Sequence, residues 1–106
     1  MIWGPEEILM ARMFNRKDFD EALAVGIDDG DWDSEELRQI WHAMLENREA
    51  GRPHDLVAIF HTTPEDQDLR NNVLLELATA DPYLRLPATN VRWHIEQTFR
   101  GKHVAL

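Results

Sequence analysis

The sequence predicts an all-α protein, a compact bundle of about six helices formed by a single domain over residues 1–106. Apolar residues recur at helical spacing in several segments, and capping residues, prolines and glycines separate those segments. No segment of strand character has a partner strand with which to pair. A chain of 106 residues is also of ordinary length for one domain with one core.

The clearest helix lies between Asp33 and Pro53, and its apolar residues form one wide stripe at helical period: Leu37, Ile40, Trp41, Met44 and Leu45. Asp33 is the predicted N-cap, because Glu36 three residues later completes an acidic variant of the capping box. Gly51 favours a left-handed stop, and the proline prevents continuation. We expect this helix to organise the core, in which Trp41 packs with Leu37, Met44, Leu45, Leu74 and Leu77.

Two shorter helices are predicted before the central one. The first begins at Pro5, whose fixed φ suits the first helical position. Its apolar residues surround much of the helix: Ile8, Leu9, Met10, Met13 and Phe14. The second has Asp18 as its expected cap and Gly26 as its stop.

Three helices are predicted after the central one. The first is short, because Asp55 can cap it and no strand partner exists for this apolar segment. Thr63 is the expected cap of the next, which ends at residues 81–82 and has the apolar stripe Leu69, Val73, Leu74 and Leu77. Thr89 or Asn90 is expected to cap the last helix, whose stripe is Val91, Ile95 and Phe99.

The segment before the central helix is strongly acidic, with six acids among residues 28–36. Alternating aspartates from Asp29 suggest a calcium loop, but an EF-hand requires Gly at its sixth position and Glu at its twelfth. Those positions hold Ser34 and Ile40. The sequence therefore favours a capped acidic turn, with Trp32 inserted into the core.

The net charge of −9 is concentrated in residues 1–51, which hold 13 acidic and 5 basic side chains. Such a surface repels phosphate, so we expect no direct binding of nucleic acid. No apolar run approaches the roughly 20 residues that span a bilayer, and the N-terminus lacks the features of a signal peptide. With no cysteine present, we expect a cytoplasmic protein without disulfides and without membrane association.

Catalytic patterns are missing from the sequence. The histidines form no HExxH motif, and the glycines form no phosphate loop. Ser34 is the only serine and lies at a helix start, while His42 is interpreted as a surface histidine. The chain is therefore predicted to be a non-catalytic interaction module with no cofactor and no metal.

The order of these features resembles the C-terminal helicase-binding domain of bacterial DnaG-type primase, whose fold is similar to the N-terminal domain of the DnaB-type replicative helicase. The family opens with an E-x-x-LL helix, which Glu7-Ile8-Leu9-Met10 matches. Its later features match the remaining segments in order: a second helix at 18–25, an aromatic turn, a helix at 37–45, Gly51 to Leu56, and helices at 66–80 and 91–100.

The resemblance implies a module of replication priming that docks on the N-terminal domain of a hexameric replicative helicase and modulates it. Primer synthesis would lie elsewhere in the parent primase. In that family a helical hairpin after the bundle makes the main helicase contact, so this chain corresponds to the globular subdomain. Two alternatives remain open: the oligomerisation domain of a DnaB-type helicase itself, and a stand-alone regulatory or adaptor bundle.

The predicted partner-binding residues are Ile8, Met10, Arg12 and Arg16. Apolar residues of the first helix exceed one stripe, so Ile8 or Met10 is expected to be free while others face inward. The two arginines, placed on the same helix, are expected to pair with carboxylates across an interface.

Overall fold

The structure is a computed structural model that describes residues 4–80 and 90–99, and these residues contain helices and no strand. The predicted all-α bundle of about six helices is confirmed. The elements in chain order are α1 Pro5–Arg12, α2 Arg16–Val25, a 3-10 turn Asp29–Asp31, α3 Glu35–Glu49, α4 Leu56–Thr62, a π-helical segment Asp68–Leu74, α5 Leu75–Ala78 and α6 Val91–Thr98.

The α3 helix lies at the centre of the core, as the apolar stripe predicted. Trp41 is fully buried, and so are four of its five predicted neighbours: Leu37, Met44, Leu74 and Leu77. Leu45 is only partly buried and packs against the edge of this core. Such burial removes a large apolar area from water, which is the main force that holds the helices together.

A row of aromatic rings connects the outer elements to α3. The ring of Trp41 lies 4.8 Å from that of Phe19 on α2 and 5.6 Å from that of Trp32 after the 3-10 turn. Trp32 in turn makes an edge contact with Phe99 at 5.1 Å, which joins the end of α6 to the same row. The predicted insertion of Trp32 into the core is confirmed.

The helix caps agree with the sequence at three positions. Gly26 ends α2 in a left-handed conformation with φ of 102°. Asp55 caps α4 by accepting a hydrogen bond from the Ala58 amide at 2.9 Å. Asn90, one of the two expected caps, accepts from the Arg92 amide at 2.8 Å.

Two predicted caps are wrong by one to three residues. Ser34, rather than Asp33, caps α3, because its hydroxyl accepts from the Leu37 amide at 3.3 Å. Asn15, rather than Asp18, caps α2, and the aspartate lies in the first turn. Both corrections reflect a choice between neighbouring cap-forming residues that the sequence offers equally.

The predicted cap at Thr63 is also wrong. Its hydroxyl donates to the Phe60 carbonyl at 2.7 Å and therefore closes α4. Asp66 starts the next segment instead, because its carboxylate accepts from the amides of Asp68 and Leu69. That segment is π-helical before it tightens into α5, a geometry that apolar spacing alone does not predict.

The acidic turn is a capped 3-10 turn, in which the Asp28 amide donates to the Asp31 carboxylate at 2.9 Å. Within residues 4–80 and 90–99, no three His, Asp or Glu side chains gather as they would around a metal ion. None of the helices in this described part is long and apolar enough to cross a membrane. The predicted helix end at residues 81–82 and the alternative cap Thr89 lie outside it.

Candidate protein-interaction surfaces

The expected contact on the first helix is largely inaccessible. Met10 is fully buried and Arg12 is 6% exposed, so Ile8 is the member of the expected Ile8-or-Met10 pair that keeps exposed surface. The physical reason is that α1 packs against α3, α5 and α6, and its second half, Leu9 to Arg12, is buried there. Ile8 is half-buried, while Arg16 is exposed but begins α2 instead of lying on α1.

Arg12 belongs to a buried polar cluster that joins three helices. Its guanidinium lies 3.3 Å from the carboxylate of Asp18 on α2. His94 of α6 lies in the same electrostatic environment, and its pKa is lowered from 6.5 to about 4, chiefly by burial and then by the positive charge of Arg12. The negative charge of Asp18 raises the pKa of His94 and so partly offsets these two effects. The Nδ1 atom of His94 is buried and has no hydrogen-bond partner among the described residues.

The buried Arg12 thus pairs with a carboxylate of α2 and lies close to a histidine of α6, at the junction of three helices.

The most exposed aromatic side chain in the described part of the chain lies on the outer face of α6. Trp93 is 54% exposed, whereas Val91, His94 and Ile95 of the same helix are buried. Next to it, Arg92 pairs with Glu21 of α2 at 2.6 Å, which fixes the start of α6 against that helix. Sequence reasoning missed Trp93 as a site residue, although its position outside the apolar stripe of α6 was the available signal.

A second exposed hydrophobic residue lies on α4. Val57 is 66% exposed, while Ile59 two residues later is fully buried. The helix is only seven residues long, and its inner side packs against α3. Val57 thus marks an outward face of α4, in a different element from Trp93.

A groove runs along the seam between α3 and α4. One section has a volume of about 360 Å³ and lies between the 3-10 turn, the start of α3 and the end of α4. A second section of about 440 Å³ lies farther along the same seam. Thr62 lines both sections, so the two adjoin at that residue and together form the α3–α4 groove.

The charged groups of the groove belong mainly to the chain's acidic half. Glu35 is 73% exposed, and Asp29 lies 3.7 Å from the ring of His42, which is a surface residue as expected. Arg38 is held by its own helix start, since it donates to the carbonyl oxygens of Asp33 and Ser34 at 3.2 and 3.4 Å. Arg38 also lies 3.9 Å from the Glu35 carboxylate, so these two charges are paired with each other. The acidic side chains that line the groove, Asp29, Glu35 and Glu46, exceed its two arginines by one.

Beneath the second section lies the buried amide of Asn47. Its oxygen accepts hydrogen bonds from the hydroxyl of Thr62 at 2.5 Å and from Arg52 at 3.0 Å, and both of these residues line the groove. The Asn47 Nδ2 atom is enclosed and has no hydrogen-bond partner among the described residues. A buried donor without a partner costs about 1–3 kcal/mol relative to a satisfied one.

Comparisons with known proteins identify no relative. No protein-family model matches the chain. The searches of curated proteins and of solved structures likewise found no significant match.

Proposed function

We propose that this chain is a non-catalytic docking module of DNA replication priming, equivalent to the helicase-binding domain of a DnaG-type primase. Its partner is the N-terminal domain of a hexameric replicative helicase, whose activity it modulates. The chemistry of primer synthesis is assigned to another part of the parent protein.

Two features of the fold support this proposal. Helices occur in the order that the resemblance implies, and an aromatic residue, Trp32, lies in the turn before the central helix. In addition, the buried ion pair of Arg12 and Asp18 joins two helices to each other, which is a structural role. Protein binding requires neither a metal nor a nucleophile, so such a bundle is suited to that role.

The exposure of Trp93 is the single observation that carries the docking role. Trp is among the residues most enriched at the energetic centres of protein interfaces, where it fills a pocket on the partner. On α6 it projects from a helix whose opposite side is anchored in the core by Ile95. Such an anchored helix presents the indole without a large ordering cost.

The test is binding of the chain to the replicative helicase of the same organism, measured by size-exclusion co-elution and by titration. We expect wild type to bind and Trp93→Ala to lose affinity about thirtyfold, as for an interface residue worth about 2 kcal/mol. Val57→Ala, which removes the other exposed hydrophobic residue, is the matched control. Absence of wild-type binding would refute the proposed function, whereas equal binding by Trp93→Ala would refute only the α6 placement.

The same elution profile distinguishes the helicase alternative. A DnaB-type N-terminal domain associates with copies of itself, so it would elute alone as an oligomer. The primase-type module is expected to elute alone as a monomer and to shift only in the presence of the helicase. A chain that self-associates and ignores the helicase would favour the oligomerisation domain.

A further inference from the structure

We infer that the Asp29–Gly30 bond, in the 3-10 turn before α3, is a site of spontaneous modification at which the aspartate converts to isoaspartate through a cyclic succinimide. This bond is the only Asp-Gly pair in the sequence, and no asparagine precedes a glycine. The inference goes beyond the proposed function and does not depend on it, because it concerns the covalent chemistry of the chain itself.

The reaction joins an aspartyl carboxyl group to the backbone nitrogen of the next residue. The nitrogen attacks Cγ of the aspartate, a C–N bond forms, and one carboxyl oxygen leaves as water with the amide proton and the carboxyl proton. Water then opens the ring at either carbonyl carbon, which regenerates aspartate or leaves the main chain running through the former side chain as isoaspartate. Glycine favours the attack because no Cβ hinders its nitrogen.

Both reacting groups at this bond are open to water. The Asp29 carboxylate is 52% exposed, and its contact with the exposed ring of His42, at 3.7 Å, holds it only weakly. The Gly30 amide lies near the start of the turn, where amides lack a partner within the helix, and it makes no hydrogen bond to any described residue. The ring can therefore close without first breaking a hydrogen bond of either group.

Other aspartates of the acidic segment are less suited to ring closure. Asp31 accepts a hydrogen bond from the Asp28 amide at 2.9 Å and is followed by the bulky, buried Trp32. Asp33 is exposed, but the residue after it is Ser34, whose side chain hinders the attacking nitrogen. Residue 29 is therefore expected to be modified in preference to its neighbours.

The modification changes the turn that leads Trp32 into the core. The Asp31 amide donates to the Asp28 carbonyl at 3.2 Å, and isoaspartate adds one main-chain atom inside this hydrogen-bonded ring. The Trp32 amide donates to the Asp29 carbonyl at 3.4 Å, and in isoaspartate that carbonyl becomes part of a free carboxylate. Since Trp32 is fully buried against other aromatic rings, a distorted turn should lower the stability of the fold.

The test is incubation of the whole chain in ¹⁸O-labelled water at physiological temperature and pH for several weeks, followed by peptide mass spectrometry. Ring opening adds one ¹⁸O atom to the modified residue, and electron-transfer fragmentation distinguishes isoaspartate from aspartate. We expect isoaspartate at residue 29 to accumulate several-fold faster than at Asp33, which is the comparison within the same acidic segment.

Gly30→Ala is the matched variant, because it adds a Cβ at the attacking residue and preserves every charge. The turn accepts alanine, since the backbone of Gly30 is not left-handed and the nearest atom to the added Cβ is an oxygen of the exposed Asp28 side chain, at 3.3 Å, which can shift slightly. This variant should form isoaspartate at residue 29 several-fold more slowly than wild type. Asp29→Asn, which loses ammonia instead of water, should form it faster.

Urea unfolding of the aged samples tests the consequence for the fold. Aged wild type should contain a fraction that unfolds at lower urea concentration, whereas Gly30→Ala aged in parallel should keep its midpoint. Isoaspartate that is absent at residue 29, equal at residues 29 and 33, or undiminished in Gly30→Ala would overturn the assignment of the site. An unchanged urea midpoint in chains that contain isoaspartate would overturn the predicted effect on the turn.

Discussion

At the scale of single residues, the most unusual group is His94. It is buried where α6 meets α1 and α2, beside the ion pair of Arg12 and Asp18. Burial disfavours the charged imidazole, and the nearby guanidinium adds repulsion, so the pKa of His94 falls to about 4. These three residues are far apart in sequence and share no periodic pattern, so sequence reasoning could not bring them together.

The lowered pKa of His94 predicts that the free energy of unfolding depends on pH. The unfolded chain takes up this proton near pH 6.5, but the folded chain does so only near pH 4. Between these values the unfolded state binds more protons, so stability falls as the pH falls. The contribution is fully present above pH 6.5, and about 3 kcal/mol of it is lost by pH 4.

Replacing His94 with Gln should remove this part of the pH dependence while leaving the carboxylate titrations in place. The measurement is urea unfolding of wild type and His94→Gln at several pH values from 7.5 to about 4. His42→Gln is the control, because His42 is exposed on α3. If wild type and His94→Gln lose stability in parallel across this range, the destabilising role of the buried histidine is contradicted.

At the scale of elements, apolar periodicity predicted the positions of the helices correctly but did not predict their first and last residues. The stripe on α3 correctly predicted a helix centred on Trp41, because burial of one face determines that spacing. The N-cap of α3 could not be predicted from the sequence, because Asp33 and Ser34 are both favourable cap residues and only the backbone geometry selects Ser34. The sequence analysis did not predict the π-helical segment. A π-helix has about one residue more per turn than an α-helix, and over only seven residues the two spacings are hard to distinguish in an apolar pattern.

Interaction surfaces were less predictable than helices, and for a definite reason. Met10 and Arg12 look like surplus residues on an isolated α1, but α5 and α6 cover that helix in the fold. Conversely, Trp93 lies outside the apolar stripe of α6, and the fold leaves it exposed. Which side of a helix is covered depends on contacts between distant segments, and a single sequence does not specify them.

The central role of α3 predicts a large stability effect at Trp41. Its indole is fully buried between Phe19 and Trp32, so Trp41→Ala leaves a cavity that the neighbouring rings cannot fill. We expect a loss of about 3–5 kcal/mol in the free energy of unfolding. Trp93→Ala makes the same chemical change at an exposed site and should cost no more than about 0.5 kcal/mol. Equal effects in denaturant titrations would contradict the assignment of α3 as the core helix.

At the scale of the whole molecule, the charge distribution determines which partners can approach. The net charge of −9 and the acidic segment 28–36 repel phosphate backbones over about a Debye length. They attract basic protein surfaces by the same field, which speeds association and makes it depend on salt. This charge suits the proposed docking on a protein and disfavours contact with a nucleic-acid template.

Single-stranded DNA should therefore bind the chain no more tightly than weak non-specific levels, on the order of 10⁻⁴ M at physiological salt. Besides the charge, Trp93 is the one large aromatic side chain that is exposed among the described residues, which is too few for successive bases to stack on. Fluorescence anisotropy with a labelled oligonucleotide measures this directly. A micromolar dissociation constant would contradict the repulsion of phosphate by the acidic surface.

Docking on a replicative helicase, and modulation of its activity, is the function proposed for the whole bundle. The most direct measurement is the ATPase rate of the hexameric helicase from the same organism, titrated with the isolated chain. We expect a saturable increase in rate, reached with Trp93→Ala only at higher concentration. An ATPase rate that stays unchanged at all concentrations of folded wild-type chain would contradict the proposed function.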